Sequence, residues 1–169
     1  MKKLLFFMLL VFGLASVADS QVPNGTYIIR SALNPNFVID LNASRIQDGN
    51  NIQLWEYNGT NAQKWVVESV GSISTIRSSI DRNYVIDLSS ANTNDGNNIH
   101  LWRANGTKAQ SWRIITTKSG YSAIVSVLKP DGKLHVIDLD HSVVRQGQNI
   151  QIWGSNDTNA QRWWFDRVD

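Results

Sequence analysis

The chain repeats itself three times, and this repetition constrains its possible folds more than any other feature of the sequence. Three short motifs each occur three times, in the same order. Val-Ile-Asp-Leu stands at residues 38–41, 85–88 and 136–139. Asn-Ile-(Gln/His)-(Leu/Ile)-Trp stands at residues 51–55, 98–102 and 149–153, and Ala-Gln-x-Trp at residues 62–65, 109–112 and 160–163. Each motif advances by 47 residues and then by 51, so all three belong to one repeating unit.

Each repeat is predicted to contain four short β-strands. In the first repeat, β-branched and aromatic residues cluster at positions 26–30, 37–41, 52–55 and 64–68. The turn-forming residues Asn, Asp, Gly and Pro lie between these clusters. No stretch after residue 20 shows sustained helical periodicity. The three repeats, at about residues 24–70, 71–117 and 118–169, therefore predict twelve strands.

Three repeats of four strands predict an all-β protein with the β-trefoil fold. In this fold a closed six-stranded barrel is capped by three hairpins, and the whole has pseudo-three-fold symmetry. A β-propeller also uses four strands per repeat, but it typically has about four or more blades. Three blades would leave the ring open, so we predict the trefoil.

The first 20 residues have the pattern of a secretory signal peptide. Lys2 and Lys3 precede an apolar run at residues 4–15, and small residues then allow cleavage after residue 18 or residue 20. The alternative is an uncleaved N-terminal anchor. We therefore expect a secreted, extracellular domain at residues 21–169, in which no later segment is apolar enough to span a membrane.

Charge and cysteine content exclude several classes of function. Loss of residues 1–20 removes two lysines and one aspartate, which lowers the net charge from +2 to +1. Such a surface provides no electrostatic basis for binding nucleic acid. The chain has no cysteine, which excludes disulfides, thiolate metal sites and a cysteine nucleophile. We expect a monomer with no cofactor and no bound metal.

The Gln-x-Trp ending of each repeat resembles the signature of the ricin B-type lectin family. Each copy follows the preceding Leu/Ile-Trp step by ten residues, and the resemblance covers about residues 24–167. It implies a β-trefoil that binds carbohydrate, without catalysis, in up to three shallow pockets. The family builds each pocket from an Asp on the second strand, a Gln or His and an aromatic residue on the third, and an Asn-Gln pair before the final Trp. The matching residues are Asp40, Gln53, Trp55, Asn61 and Gln63 in the first repeat, Asp87, His100, Trp102 and Gln110 in the second, and Asp138, Gln151, Trp153, Asn159 and Gln161 in the third.

The sequence departs from the family pattern directly before the motif glutamine. Where the family often has a sugar-contacting Asn, each repeat has alanine, at residues 62, 109 and 160. Asn61 and Asn159 precede that alanine in the first and third repeats, but Lys108 does so in the second. We therefore expect the second pocket to bind most weakly. The identity of the sugar is left open.

Each candidate residue also has a structural interpretation. The tryptophans at 65, 112 and 163 end their repeats in apolar company and are predicted to lie in the core. The motif glutamines can satisfy buried backbone groups instead of a ligand. The aspartates can make an Asx-type bond into the following hairpin. The tryptophans at 55, 102 and 153 have polar flanks, which favours a ligand-facing position.

Other functions remain as alternatives to the lectin. A protein-binding trefoil, such as an inhibitor or a secreted ligand, would need no repeated pocket. A glycosidase needs two carboxylates about 5–10 Å apart, and no acidic pair sets one repeat apart from the others.

Asp-Gly at 48–49 and 95–96 resembles the start of a calcium loop, but the closing acidic residue is absent, so turns are predicted. Five Asn-x-Ser/Thr sequons occur, and those at Asn58, Asn105 and Asn156 recur in the same turn of each repeat.

Overall fold

The computed structural model describes residues 21–169, so the predicted signal peptide lies outside the described residues. The described chain is built from twelve short β-strands joined by turns. They are β1 Gly25–Ser31, β2 Phe37–Leu41, β3 Ile52–Glu56, β4 Lys64–Val70, β5 Ile73–Ser78, β6 Tyr84–Leu88, β7 Ile99–Arg103, β8 Trp112–Thr116, β9 Ser122–Ser126, β10 His135–Leu139, β11 Gln148–Gly154 and β12 Trp163–Arg167. Within this part of the chain, no helix has the length and apolar character needed to cross a bilayer.

Six of the strands close into a barrel. Antiparallel pairing runs from β1 to β4, β5, β8, β9 and β12 and back to β1, so the ring has no free edge. The other six strands form three hairpins, β2–β3, β6–β7 and β10–β11. This architecture confirms the predicted β-trefoil.

Three buried tryptophans join the barrel to the hairpins. Trp65, Trp112 and Trp163 have no exposed surface and stand at or next to the start of β4, β8 and β12. Each indole N–H donates a hydrogen bond to the carbonyl oxygen of the isoleucine in the Val-Ile-Asp-Leu motif of its own repeat. These bonds are 3.0 Å to Ile39, 3.2 Å to Ile86 and 3.2 Å to Ile137. The prediction that these tryptophans belong to the core is confirmed.

The alternation of side chains along the hairpin strands decides which residues leave the core. Ile39 and Leu41 of β2 are fully buried in the hydrophobic core, as are Ile52 and Leu54 of β3. Successive side chains point to opposite faces of a strand. The polar residues between these core positions therefore lie on the other face of the hairpin.

The three repeats interlock around the symmetry axis. The side chains of Asn51, Asn98 and Asn149 form a ring in which each amide donates to the next, at 2.9–3.0 Å. The loop before each third strand also pairs with another repeat: the Gly49 N–H donates to the Leu101 carbonyl at 2.8 Å. The equivalent bonds join Gly96 to Ile152 and Gly147 to Leu54, both at 2.9 Å. The contacts thus close a cycle through all three repeats.

Replacing Trp65 by alanine should lower the free energy of unfolding by about 3–5 kcal/mol. The change removes a fully buried indole and leaves the Ile39 carbonyl without its donor. Urea unfolding followed by circular dichroism measures the loss. Trp164→Ala is the control, because that ring is 43% exposed and should cost clearly less. Equal losses in the two variants would contradict the assignment of Trp65 to the core.

Candidate functional site

Each hairpin carries a cavity on its polar face. The three cavities have volumes of about 300, 410 and 430 Å³ in the first, second and third repeats. Each is lined by an Asp of the second strand, a Gln or His and a Trp of the third strand, and an Asn and a Thr of the following loop. The sets are Asp40, Gln53, Trp55, Asn58 and Thr60; Asp87, His100, Trp102, Asn105 and Thr107; and Asp138, Gln151, Trp153, Asn156 and Thr158.

The pairing register of the hairpin places the polar residues directly opposite each other. Asp40 faces Gln53 across the β2–β3 ladder, and the Gln53 amide donates to the Asp40 carboxylate at 3.1 Å. Asp138 and Gln151 make the same bond, also at 3.1 Å, in the third repeat. In the second repeat His100 Nε2 lies 3.0 Å from Asp87 Oδ1. The sequence-predicted Asp and Gln/His residues are therefore in contact in all three repeats.

The aspartates are buried although they carry a titratable group. Asp40 is 5% exposed and Asp138 is 6% exposed. Burial raises the pKa of both carboxyls above the usual value of 3.8, while hydrogen bonds from nearby glutamine amides partly offset the shift. For Asp138 the neighbouring Asp140 and Asp95 carboxylates raise the pKa further. A carboxylate in such a position costs folding energy unless something binds it.

A tryptophan ring stands beside each carboxylate at the mouth of the cavity. Trp102 and Trp153 are each 38% exposed, and Trp55 is half-buried. In the second repeat the His100 ring stacks on Trp102, with centroids 5.2 Å apart and planes at 25°. These rings offer a flat apolar surface next to a hydrogen-bond acceptor.

A strained turn forms one wall of each cavity. Two consecutive non-glycine residues after the second strand have left-handed backbone angles, and Ala43 and Ser44 have φ of 51° and 54°. The equivalent pairs are Ser90 and Ala91, and His141 and Ser142. Non-glycine residues seldom adopt this conformation, and when they do it is often at a functional site. Sequence reasoning missed these turns because they contain no glycine.

A side-chain amide holds each strained turn in place. Asn50 donates to the carbonyls of Asn42 and Arg45 at 2.9 and 2.7 Å, and Asn97 repeats this pattern in the second repeat. In the third repeat Gln148 takes the role and donates to the Asp140 carbonyl at 2.9 Å. The recurring amide before the third strand was the available sequence signal for this turn.

A glycine loop of another repeat lies near the tryptophan of each cavity, and in the third repeat that glycine, Gly96, also lines the cavity. A Cβ atom added at Gly147 of the third repeat would lie 3.9 Å from the Trp55 ring of the first. The same distance separates Gly49 from Trp102 and Gly96 from Trp153. The glycine loops therefore pack beside the three cavity tryptophans.

Some predicted residues lie outside the cavities. The amide of Gln63 is used by the loop: it accepts from the Asn58 N–H at 2.8 Å and donates to the Glu56 carbonyl at 3.0 Å. Gln110 and Gln161 make the same two bonds in their repeats. The exposed Asn61 and Asn159 accept hydrogen bonds from Lys64 and Arg162. Contact of these five side chains with a ligand stays a prediction.

Other lining residues were not singled out from the sequence. The Asn and Thr of each loop were recognised only as a sequon, and the Asn58 side chain accepts from the Thr60 N–H at 3.0 Å. The third cavity also contains Asp140 and His141, whose side chains lie 2.6 Å apart. This aspartate gives the third cavity a second carboxylate. Its position depends on the strained turn, which explains why the sequence did not reveal it.

The two Asp-Gly steps are turns whose aspartates bond to the backbone of another repeat. The Asp48 carboxylate accepts the backbone N–H of Arg103 at 2.7 Å, and Asp95 accepts that of Gly154 at 2.6 Å. Within residues 21–169, no cluster of three or more His, Asp or Glu side chains is arranged to hold a metal ion. The turn interpretation of these steps is therefore consistent with their contacts.

Comparisons with known structures support the same architecture. A designed three-fold symmetric protein, ThreeFoil, has a TM-score of 0.78 and 21% identity, over 85% of this chain and 99% of its own. The Rhizoctonia solani agglutinin has a TM-score of 0.74 and 24% identity, over 88% and 98%. A Macrolepiota procera ricin B-like lectin, solved in complex with lactose, has a TM-score of 0.72 and 22% identity, over 88% and 100%. At these identities the likeness demonstrates the fold.

Sequence comparison identifies the family. The search of curated proteins gave no significant match. The sequence model described as "Ricin-type beta-trefoil lectin domain" matches residues 25–163, which include all three repeats and all three cavities. The chain therefore belongs to the family of ricin-type β-trefoil lectin domains.

Proposed function

We propose that this chain is a secreted lectin that binds glycans in three cavities, one in each repeat, and catalyses no reaction. The observation that carries the proposal is the threefold recurrence of a buried aspartate beside a tryptophan at a cavity mouth. The apolar N-terminal segment and its small-residue flank support secretion. The net charge of +1 after its removal gives no support to nucleic acid as a partner.

The chemistry of the cavity suits a sugar. A carboxylate accepts hydrogen bonds from two neighbouring hydroxyls, and such charge-assisted bonds are the strong ones. A tryptophan ring covers the C–H groups on one face of the sugar by dispersion and desolvation. Gln53 and Gln151 hold their aspartates from one side, which fixes the direction in which the carboxylates accept.

The first and third cavities should be the stronger sites. They share the Asp–Gln pair, whereas the second has His100, whose ring contacts both Asp87 and Trp102. A sugar entering the second cavity therefore meets an aspartate and a tryptophan that already contact an imidazole. Shallow sites of this kind bind weakly one at a time, and several together gain about 10²–10⁴ in avidity on a glycan-coated surface.

Two alternatives compete with this proposal. A protein-binding trefoil would not need three equivalent cavities, so their recurrence favours the lectin. A glycosidase could use Asp138 with Asp140, but the Asp140 carboxylate contacts His141 and accepts from Gln148 at 3.1 Å. These contacts favour a role for Asp140 in the turn. Incubation with the bound glycans, followed by mass spectrometry, tests the non-catalytic assignment, and release of shorter products would overturn it.

A glycan array probed with the protein secreted from residues 1–169 tests the proposal directly. We expect binding to a defined group of carbohydrates, and competition by the corresponding free sugar. An array on which the folded protein binds nothing would favour the protein-binding alternative. Detection of the protein in the medium, with its N-terminus at residue 19 or 21, tests secretion.

Asp40→Asn together with Asp138→Asn should reduce affinity for the selected sugar by about ten- to a hundred-fold, the scale of a hydrogen bond to a charged group. Isothermal titration calorimetry measures this. The Asp87→Asn variant is the matched control and should lose much less. The ranking is wrong if Asp87→Asn abolishes binding while the double variant retains it.

The Asp40→Asn/Asp138→Asn double variant should gain stability relative to the wild type as the pH rises. Because the pKa of Asp40 and Asp138 is raised in the folded state, their contribution to stability is fully present below 3.8 and is lost as the pH rises through the folded pKa. Asparagine has no such dependence. Urea unfolding at about pH 4 and about pH 7 measures the difference. If the free energy of unfolding of the variant falls relative to that of the wild type between these two pH values, the burial argument is contradicted.

Sugar binding should weaken on acidification at a higher pH than an ordinary aspartate would allow. The carboxylates must be ionised to accept hydroxyl groups, and burial raises the pKa of Asp40 and Asp138. Titration calorimetry from about pH 7 to about pH 4 measures the loss. The Asp87→Asn variant keeps the first and third cavities and should follow the wild-type profile. An affinity that stays constant down to pH 4 would exclude these carboxylates as acceptors.

A further inference from the structure

A second cavity flanks the third-repeat cavity and shares one tryptophan with it. It has a volume of about 430 Å³ and is lined by Asp95, Asp131, Lys133, His135 and Trp153, among other polar groups. Trp153 lines both cavities, so the two adjoin at this residue. Residues 95 and 155 line the flanking cavity, and the next residues, 96 and 156, line the third cavity.

At the flanking cavity the third repeat differs from the other two repeats at two positions. Gly154 stands where the first and second repeats have Glu56 and Arg103, and His135 stands where they have Phe37 and Tyr84. In the second repeat the Arg103 guanidinium lies over the Tyr84 ring, 5.2 Å from its centroid, which is within the range of a cation–π contact. It also donates a hydrogen bond to the Tyr84 hydroxyl at 3.0 Å. Gly154 leaves this space empty in the third repeat.

The polar groups of the flanking cavity are not fully used by the protein. His135 is 6% exposed, and its Nδ1 has no hydrogen-bond partner among the described residues. Its Nε2 lies 3.9 Å from Asp131 Oδ2, which is too far for a hydrogen bond. A hydroxyl or amino group between these two atoms can lie about 2.8–3.0 Å from each. The His135 Nε2 and the Asp131 carboxylate both line the flanking cavity, so the space between them can accept a polar group of a ligand.

The charges around the cavity restrict that ligand. The backbone N–H of Lys133 donates to Asp131 at 3.0 Å and lowers the pKa of this carboxyl. The cavity is therefore lined by two carboxylates, those of Asp95 and Asp131, and by one ammonium group, that of Lys133. A neutral or amino-bearing sugar suits this balance, and an acidic sugar would be repelled.

We propose that the third repeat binds an oligosaccharide of at least two units, with one unit in the Asp138 cavity and the adjoining neutral or amino-bearing unit in the flanking cavity. Trp153 lies between the two units and contacts both. This inference rests on the proposed lectin function and assigns the flanking cavity a part in its specificity.

The test isolates the third repeat within the full chain. In an Asp40→Asn/Asp87→Asn background, a glycan array that presents neutral, N-acetylated and sialylated sugars as mono-, di- and trisaccharides supplies the probes. We expect affinity for the preferred disaccharide to exceed that for its terminal monosaccharide by about ten-fold, equivalent to one or two additional hydrogen bonds. Calorimetry with the free sugars quantifies the ratio.

Gly154→Arg fills the flanking cavity with the side chain found at the equivalent position of the second repeat. The backbone of Gly154 is not in the left-handed region, and an added Cβ would lie 3.5 Å from the Asp95 carboxylate, which is ordinary contact. We expect the ratio of disaccharide to monosaccharide affinity to fall to about one, with monosaccharide affinity unchanged. Glu56→Arg places the same side chain in the first repeat and is the matched control. It should leave the ratio intact.

His135→Phe gives the third repeat the aromatic residue of the first and is the second variant. It should lower the ratio while thermal unfolding stays cooperative. If Gly154→Arg weakens the binding of both sugars equally, the proposal is judged on His135→Phe alone. An unchanged ratio of disaccharide to monosaccharide affinity in His135→Phe then overturns the proposal. A background protein that binds monosaccharide and disaccharide equally also overturns it, yet leaves the lectin function standing. If the wild-type protein binds no glycan, the proposed function itself fails.

Discussion

The bond from each buried indole to the backbone of its own hairpin is the interaction on which the site depends. The Trp65 N–H reaches the carbonyl of Ile39, one residue before Asp40, and the other two repeats do the same. Fixing Ile39 toward the core forces Asp40 to the opposite face, because neighbouring side chains on a strand alternate. The tryptophan of the motif thus contributes to the cavity without entering it. It holds the backbone of the hairpin strand directly beside the carboxylate.

Several features at the cavities oppose folding. Burial works against ionisation of Asp40 and Asp138, and three pairs of non-glycine residues hold left-handed backbone angles. The surrounding structure compensates with glutamine amides on the carboxylates and with amides such as Asn50 on the turns. The strained turns recur at the same place in all three repeats, which is typical of a site where function constrains the backbone at some cost in stability.

The fold could be predicted from the sequence because the same pattern of strands and turns, which is weak evidence in one repeat, occurs three times in the same order. A strand predicted at residues 26–30 is observed as Gly25–Ser31, and the second strand at residues 37–41 matches its predicted bounds. The Asp, Gln/His and Trp of each cavity were also predictable, because the resemblance to the ricin B-type lectins implies residues of these types at these positions. The wall formed by Ala43 and Ser44 was not, because it depends on backbone angles that their residue types disfavour. The flanking cavity was hidden for another reason: it results from what Gly154 lacks, and only the paired neighbours show the space.

The cyclic contacts of the glycine loops have a consequence for how such a protein can arise. Gly147 packs beside Trp55, Gly49 beside Trp102 and Gly96 beside Trp153, so each cavity tryptophan has a neighbour from another repeat. A peptide of one repeat could make these contacts only within a ring of three copies, and the asparagine ring at the axis is also satisfied only in such a ring. A primordial homotrimer, later fused into one chain, fits this geometry. After such a fusion each repeat could change independently, and Gly154 differs in this way from the Glu56 and Arg103 of the other two repeats.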